Sequence, residues 1–184
     1  IPLAAKSEKN LSLNLIQLIG LLSNKEFENY SLNKSKTKKI AICPGAAVKA
    51  KRWKLNNFLE VAKFLKTKRF DPIFILGPNE KEMRLSIQKT VGNFKIFESN
   101  DPLKTITFSK NCFFGLSNDT GCGHLISASG IPTLTIFGPT DAEKFLPIGN
   151  EKNAALSSQL NYKDKNINKI TPVEVIEKIS KWLT

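Results

Sequence analysis

From Lys39 onward, short unbroken apolar runs alternate with longer segments whose apolar residues recur every three or four positions. The runs KIAIC (39–43), PIFIL (72–76), FKIF (94–97), CFFGL (112–116) and PTLTIF (132–137) read as strands. They do not alternate apolar with polar, which is the pattern of strands covered on both faces. Between them, LNNFLEVAKFLKTK (55–68) reads as a helix with Phe58, Val61, Ala62 and Leu65 on one side. NEKEMRLSIQKT (79–90), DPLKTITFSK (101–110) and GHLISAS (123–129) follow as helices, Asp101 and Pro102 supplying an N-cap and a first helical proline. TPVEVIEKISKWL (171–183) closes the chain as a helix, with Thr171 and Glu174 at capping-box spacing. The alternation predicts an α/β fold: a Rossmann-like parallel sheet of at least five strands, flanked by helices and joined by right-handed crossovers.

The N-terminal segment differs. LSLNLIQLIGLL (11–22) places Leu11, Leu15, Leu18, Ile19 and Leu22 on a helical stripe. It follows lysines, as a signal peptide would, but no A-x-A-like cleavage site comes after it, so it reads as a packed amphipathic helix. SNKEFENYSLNKSKTK (23–38) is polar and reads as a connector. The expected division is residues 1–38 as helix and connector, and 39–184 as the α/β domain. The chain starts at Ile1 and not at methionine, which suggests a processed product or a piece of something longer.

The 184 residues suffice for one domain with a real core. A hydrophobic share of 41% with 24% charged residues excludes a disordered chain. No apolar run reaches the roughly 18 residues of a transmembrane helix. The formal net charge of +12 suggests an acidic partner such as nucleic acid, an anionic membrane or a phosphorylated ligand, although abundant lysine also fits a compositional bias. Three cysteines, an odd count without metal-type pairing, fit free thiols in a reducing compartment.

Open parallel sheets bind ligands outside the carboxyl ends of their strands. Four loops lie there: PGAAVKAKRW, GPNEKE, SNDTGCGH and GPTDAEKFLP. They hold nearly all of the chain's unusual chemistry. In NDTGCGH (118–124), Thr120, Gly121 and Gly123 can aim N–H groups at an anion from a helix start. Glycine-rich turns also serve packing alone, and both readings stand. Cys122 and His124 are two apart and do not face each other on a helix, which disfavours a nucleophile–base pair. A metal set of Asp119, Cys122 and His124 is cramped, and His124 is the only histidine. Lys49, Lys51 and Arg52 could neutralise a diphosphate or form a solvated basic loop. Trp53 is expected to pack under the following helix. Glu80 could hold ribose hydroxyls, or serve the helix start that follows it. G-x-G-x-x-G and Walker patterns are absent, which argues against a dehydrogenase or an NTPase.

Together, CPGAAVKAKRW, ILGPNEKE and SNDTGCGHLISASGIPTLTIFGPT resemble the ADP-heptose:lipopolysaccharide heptosyltransferases, glycosyltransferase family 9, of GT-B fold. The likeness runs from about Lys39 to Pro147. Its most specific part, Asn118 to Thr140, follows the family pattern (N)D-[ST]-G-x-x-H…G-x-P…FGPT. It resembles the C-terminal, nucleotide-sugar-binding half only, and residues 1–36 look like the tail of a connection from an absent N-terminal half.

The resemblance implies that Thr120 and Gly121 hold the donor diphosphate, with His124 nearby in the first helical turn. Asp119 would read the heptose hydroxyls, Lys51 pair with the leaving phosphate and Glu80 hold the ribose. Gly138 and Thr140 would line the nucleotide side. The implied reaction moves heptose from ADP-heptose to a lipid-linked core sugar of lipopolysaccharide, with inversion and without a metal or other cofactor. The family's presumed base lies in the N-terminal half and nothing in this chain matches it, so no catalytic residue is assigned here and the chain alone is expected to bind donor without turnover. The loop PGAAVKAKRW also looks shorter than in close relatives. The implied site of work is cytoplasmic, at the inner face of the inner membrane. Two rivals remain: a GT-B enzyme for another nucleotide-diphosphate sugar, and a non-catalytic basic binding domain. Nucleic acid is disfavoured, since the basic residues are not interleaved with aromatics on one face.

Overall fold

The computed structural model describes residues 37–91 and 93–183. The helix expected over 11–22, and all but the last two residues of the connector over 23–38, lie outside the described residues. Six strands form one sheet: β1 (Lys39–Cys43), β2 (Asp71–Leu76), β3 (Lys95–Glu98), β4 (Phe114–Asn118), β5 (Thr133–Phe137) and β6 (Ala154–Ser157). The helices are α1 (Leu55–Thr67), α2 (Lys81–Lys89), α3 (Pro102–Ser109), α4 (Gly121–Ala128), α5 (Ala142–Phe145), α6 (Ser158–Tyr162) and α7 (Pro172–Ser180). The strand order is β3-β2-β1-β4-β5-β6, and every neighbouring pair is parallel. The order reverses between β1 and β4, and a crevice opens at such a switch point.

Period-two alternation on β1 shows how the two faces are filled. Ile40 and Ile42 join a large cluster with Phe58, Val61, Ala62 and Leu65 of α1 and Val175 and Ile179 of α7. Each such side chain, when fully buried, contributes about 1.5–3 kcal/mol. Ala41 and Cys43 point the other way, into a smaller cluster with Ile75 and with Ile126 of α4. Small residues on that face let α4 approach closely, and a Cβ on Gly115 of β4 would overlap Ile126. The capping box at Thr171 and Glu174 is present, as is the N-cap at Asp101. Trp53 is fully buried, meets Phe58 edge-on at 5.0 Å, and donates through Nε1 to Ile170 O at 2.8 Å.

Several boundaries move. β4 spans 114–118 in place of 112–116, so Ser117 and Asn118 continue the strand as buried polar residues. α4 begins at Gly121, two residues early, because Thr120 is its N-cap and accepts from Gly123 N at 3.3 Å. The last helix ends at Ser180. β6, α5 and α6 are additional elements of the C-terminal third. Among the described residues no helix is long and apolar enough to cross a membrane.

Candidate functional site

β1 and β4 pair with Cys43 opposite Ser117, so the loops that follow them leave the sheet side by side. Asn118 ties them together. Its Nδ2 donates to Pro44 O at 2.8 Å and its Oδ1 accepts from Trp53 N at 3.1 Å, with the residue fully buried. The loop after β1 closes on itself through a 3-10 turn, where Lys51 N donates to Val48 O at 3.0 Å. Arg52 Nε donates to Ala46 O within the same loop.

That scaffold points Lys51 across the switch point. Its Nζ donates to Asp119 Oδ2 at 2.6 Å, and Thr140 Oγ1, from the loop after β5, donates to the same oxygen at 2.7 Å. The Asp119 side chain is 6% exposed and that of Lys51 27%. The lysine therefore keeps a solvent-facing side while the carboxylate sits at the bottom. An ammonium carries three protons, so Lys51 retains donors beyond the one Asp119 takes.

Beside this pair stands the start of α4. A Cβ on Gly123 would overlap Ser117 Oγ and lie 3.0 Å from Asn118 O, so glycine lets the first turn seat against β4. Gly121 has nothing within 4 Å of where its Cβ would be, and so faces open space. Thr120 accepts from Gly123 through its hydroxyl and from His124 N through its carbonyl. The amides of Gly121 and Cys122 have no partner among the described residues. These free N–H groups and the helix dipole make a positive end next to a lysine.

His124 lies in that first turn, half-buried. Burial holds its pKa below the ordinary 6.5; the Asp119 charge opposes this and the Lys51 charge adds to it. Behind the turn, Cys43 and Cys122 are in thiol contact. The hydrogen bond with Cys122, together with burial and the nearby charge of Glu80, holds the Cys43 thiol well above its usual range. All three cysteines are free.

Glu80 turns back over its own loop, where Oε2 accepts from Gly77 N at 2.8 Å. Its side chain makes no capping bond to α2. A Cβ on Gly45 would overlap Glu80 Oε1, so the carboxylate lies against the backbone of the loop after β1. Gly138 has a packing reason: a Cβ there would meet Ile167 at 2.8 Å and Lys165 O at 3.2 Å. Its carbonyl accepts from Gln159 Nε2 at 3.0 Å.

The structure thus gathers Lys51, Asp119, Thr140, Thr120, Gly121 and His124 around one crevice. Glu80 stands on its β2 side, while the Cα face of Gly138 is turned into the packing. Three contributors were not singled out from the sequence. Asn118 leaves one signal, a polar residue at the end of an apolar run. Gly45 and Gln159 leave none, because their importance comes from partners 35 and 21 positions away.

The model of glycosyltransferase family 9 (heptosyltransferase) matches residues 4–173. Lipooligosaccharide heptosyltransferase 2 of Campylobacter jejuni is 31% identical over 137 residues, covering 71% of this chain and 43% of that protein. The enzyme of the same description from Haemophilus influenzae is 24% identical over 135 residues, covering 69% and 39%. Among solved structures, E. coli heptosyltransferase WaaC with ADP superposes with a TM-score of 0.77 at 15% identity, over 96% of this chain and 58% of that one. E. coli ADP-heptose lps heptosyltransferase II superposes with a TM-score of 0.68 at 21% identity, over 84% and 48%. The chain spans less than half the length of these curated relatives.

Proposed function

The chain belongs to glycosyltransferase family 9, and from that premise we propose that it is the donor-binding part of a transferase moving heptose from ADP-heptose to the lipopolysaccharide inner core. The observation that carries this reading is the Lys51–Asp119 pair, set across the β1/β4 switch point beside the open start of α4. One crevice then offers a cation and free amides for a diphosphate, and a buried carboxylate for hydroxyl groups.

Each role follows from bonding capacity. The amides of Gly121 and Cys122 and the remaining protons of Lys51 bind phosphate oxygens. Asp119 accepts from sugar hydroxyls, since a carboxylate can only accept. Glu80 does the same for the ribose on the β2 side. In the transfer, the acceptor oxygen bonds to the anomeric carbon as the bond from that carbon to the phosphate oxygen breaks. ADP leaves with the electron pair, and Lys51 with the α4 dipole stabilises the charge it gains. A base must take the acceptor proton. The relatives are more than twice as long as the matched region. We place the base, and the lipid-linked acceptor, with a further domain that works at the cytoplasmic face of the inner membrane.

Calorimetric titration of the purified chain with ADP, ADP-heptose and a UDP-sugar tests this. Adenine nucleotides should bind one to one, ADP-heptose more tightly than ADP, and the UDP-sugar weakly or not at all. Absence of nucleotide binding overturns the reading. Equal binding of the UDP-sugar would move the protein to another nucleotide-sugar class.

A further inference from the structure

Two of the three free cysteines meet beneath the start of α4. Cys43 is the last residue of β1, pairs in register with Ser117 of β4, and is 3% exposed. Cys122 is the second residue of α4 and half-buried. Their thiols are in contact, and Cys122 packs against the apolar cluster that Cys43 shares with Ile75 and Ile126. Donor binding as proposed above involves the Cys122 amide; neither sulfur takes part in it.

The two sulfurs differ in access. The hydrogen bond with Cys122, burial and the charge of Glu80 hold Cys43 as a neutral thiol away from solvent. Cys122 is therefore the sulfur that a dissolved oxidant reaches, and a second thiol already stands against it. Cys112 is out of reach of both. Burial pushes it up to about 12, and its charged neighbours are Lys39 and Asp71, at the amino ends of β1 and β2. Lys39 and Cys43 are four residues apart on one strand, roughly 13 Å.

We propose that Cys43 and Cys122 are a reversible disulfide site, closed by hydrogen peroxide and opened by a dithiol, that governs donor binding at α4. The Cys122 sulfur attacks one peroxide oxygen, the O–O bond breaks, water leaves and a sulfenic acid remains. The Cys43 sulfur then attacks the Cys122 sulfur. The S–S bond forms, the S–O bond breaks, and the departing hydroxide takes the Cys43 proton as a second water. The two thiols lose two electrons in all, which reduce the peroxide. A dithiol reverses this by two exchanges and is itself oxidised to a disulfide. The bond draws Cys122 toward β1. At Gly123 the turn has no slack toward the sheet, since even a Cβ there would lie 2.4 Å from Ser117 Oγ. The pull therefore rotates the turn and swings the Gly121 and Cys122 amides off the crevice. The chemistry needs no donor site, but its consequence for ADP rests on the reading proposed above.

The purified chain is reduced, treated with hydrogen peroxide, then digested without reductant for mass spectrometry and titrated with ADP in parallel. A peptide pair linking Cys43 to Cys122 should appear. ADP affinity should fall at least tenfold, the loss of one charge-assisted bond, and dithiothreitol should restore it. Bound ADP should in turn slow the linkage, as reciprocity between the two events requires. Cys43→Ala and Cys43→Ser should form no link and, when reduced, bind ADP as the wild type does. The oxidised chain should keep its circular dichroism spectrum. Absence of the link, a link through Cys112 or to a second chain, unfolding on oxidation, or a link that leaves ADP affinity unaltered would overturn the inference while the donor site stands. A reduced chain that binds no ADP would overturn the donor-site reading and, with it, the control of binding.

Discussion

On the proposed donor-site reading, replacing Asp119 with alanine should separate the two halves of the donor. The carboxylate accepts two bonds on one oxygen, from Lys51 at 2.6 Å and Thr140 at 2.7 Å. Removing it releases a lysine proton toward the diphosphate and takes a negative charge from beside it. ADP affinity should therefore hold or improve. The sugar loses its acceptor. A charged hydrogen bond contributes about 1.5–3 kcal/mol, which is roughly 10- to 150-fold in affinity, so ADP-heptose should weaken at least tenfold. Lys51→Ala should do the reverse for ADP, weakening it at least tenfold and ADP-heptose with it. That variant carries a structural cost, because it leaves a carboxylate of 6% exposure with Thr140 alone. Uncompensated buried charge costs about 3–5 kcal/mol, an upper bound here since Lys51 is partly solvated. Melting curves should accompany the titrations, and Lys51→Met combined with Asp119→Asn removes both charges at once. Calorimetry at one ionic strength keeps screening constant. Equal damage by Asp119→Ala to ADP and to ADP-heptose would refute the assignment of this carboxylate to the sugar.

Three further expectations follow from the loops. Asn118→Ala removes the partners of Pro44 O and Trp53 N, both buried, and should lower urea stability by about 2–4 kcal/mol; an unchanged midpoint would mean the strap is not structural. Gly45→Ala should push the flexible Glu80 side chain aside, lowering ADP affinity with little change in Tm; unaltered ADP binding would remove Glu80 from the site. His124, held below 6.5 chiefly by burial, takes up its proton later in the folded chain than in the unfolded one. Its contribution is therefore intact above the unfolded value and lost as pH falls through the folded one, so His124→Gln should lose less Tm than the wild type between about pH 7 and pH 5. Identical slopes would contradict this.

Five of the six strands were legible because each is an apolar run with no period, and the caps at Asp101 and Thr171 carry local chemistry that needs no tertiary contact. β6 was not legible. Ala154–Ser157 is a four-residue edge strand, half-buried at its first three positions, and too short to stand out as an apolar run. β4 was misplaced by two residues because Ser117 and Asn118 look like loop, yet Asn118 is buried through bonds to residues 65 and 74 positions away. The candidate site follows the same rule. Its loops were visible from the topology, and Lys51, Asp119 and Glu80 from their side-chain chemistry. The Lys51–Asp119 pair, the overlap of Glu80 with Gly45 and the orientation of Gln159 depend on loops from different strands meeting, which no local pattern encodes.

The central claim is that an ADP-sugar lies across the β1/β4 switch point with its diphosphate on α4. A crystal structure of the chain with ADP-heptose tests it most directly. The account predicts phosphate oxygens at about 2.7–3.2 Å from the amide of Gly121 or Cys122 and from Lys51 Nζ, with the sugar against Asp119. A diphosphate bound away from α4 and Lys51 would contradict it.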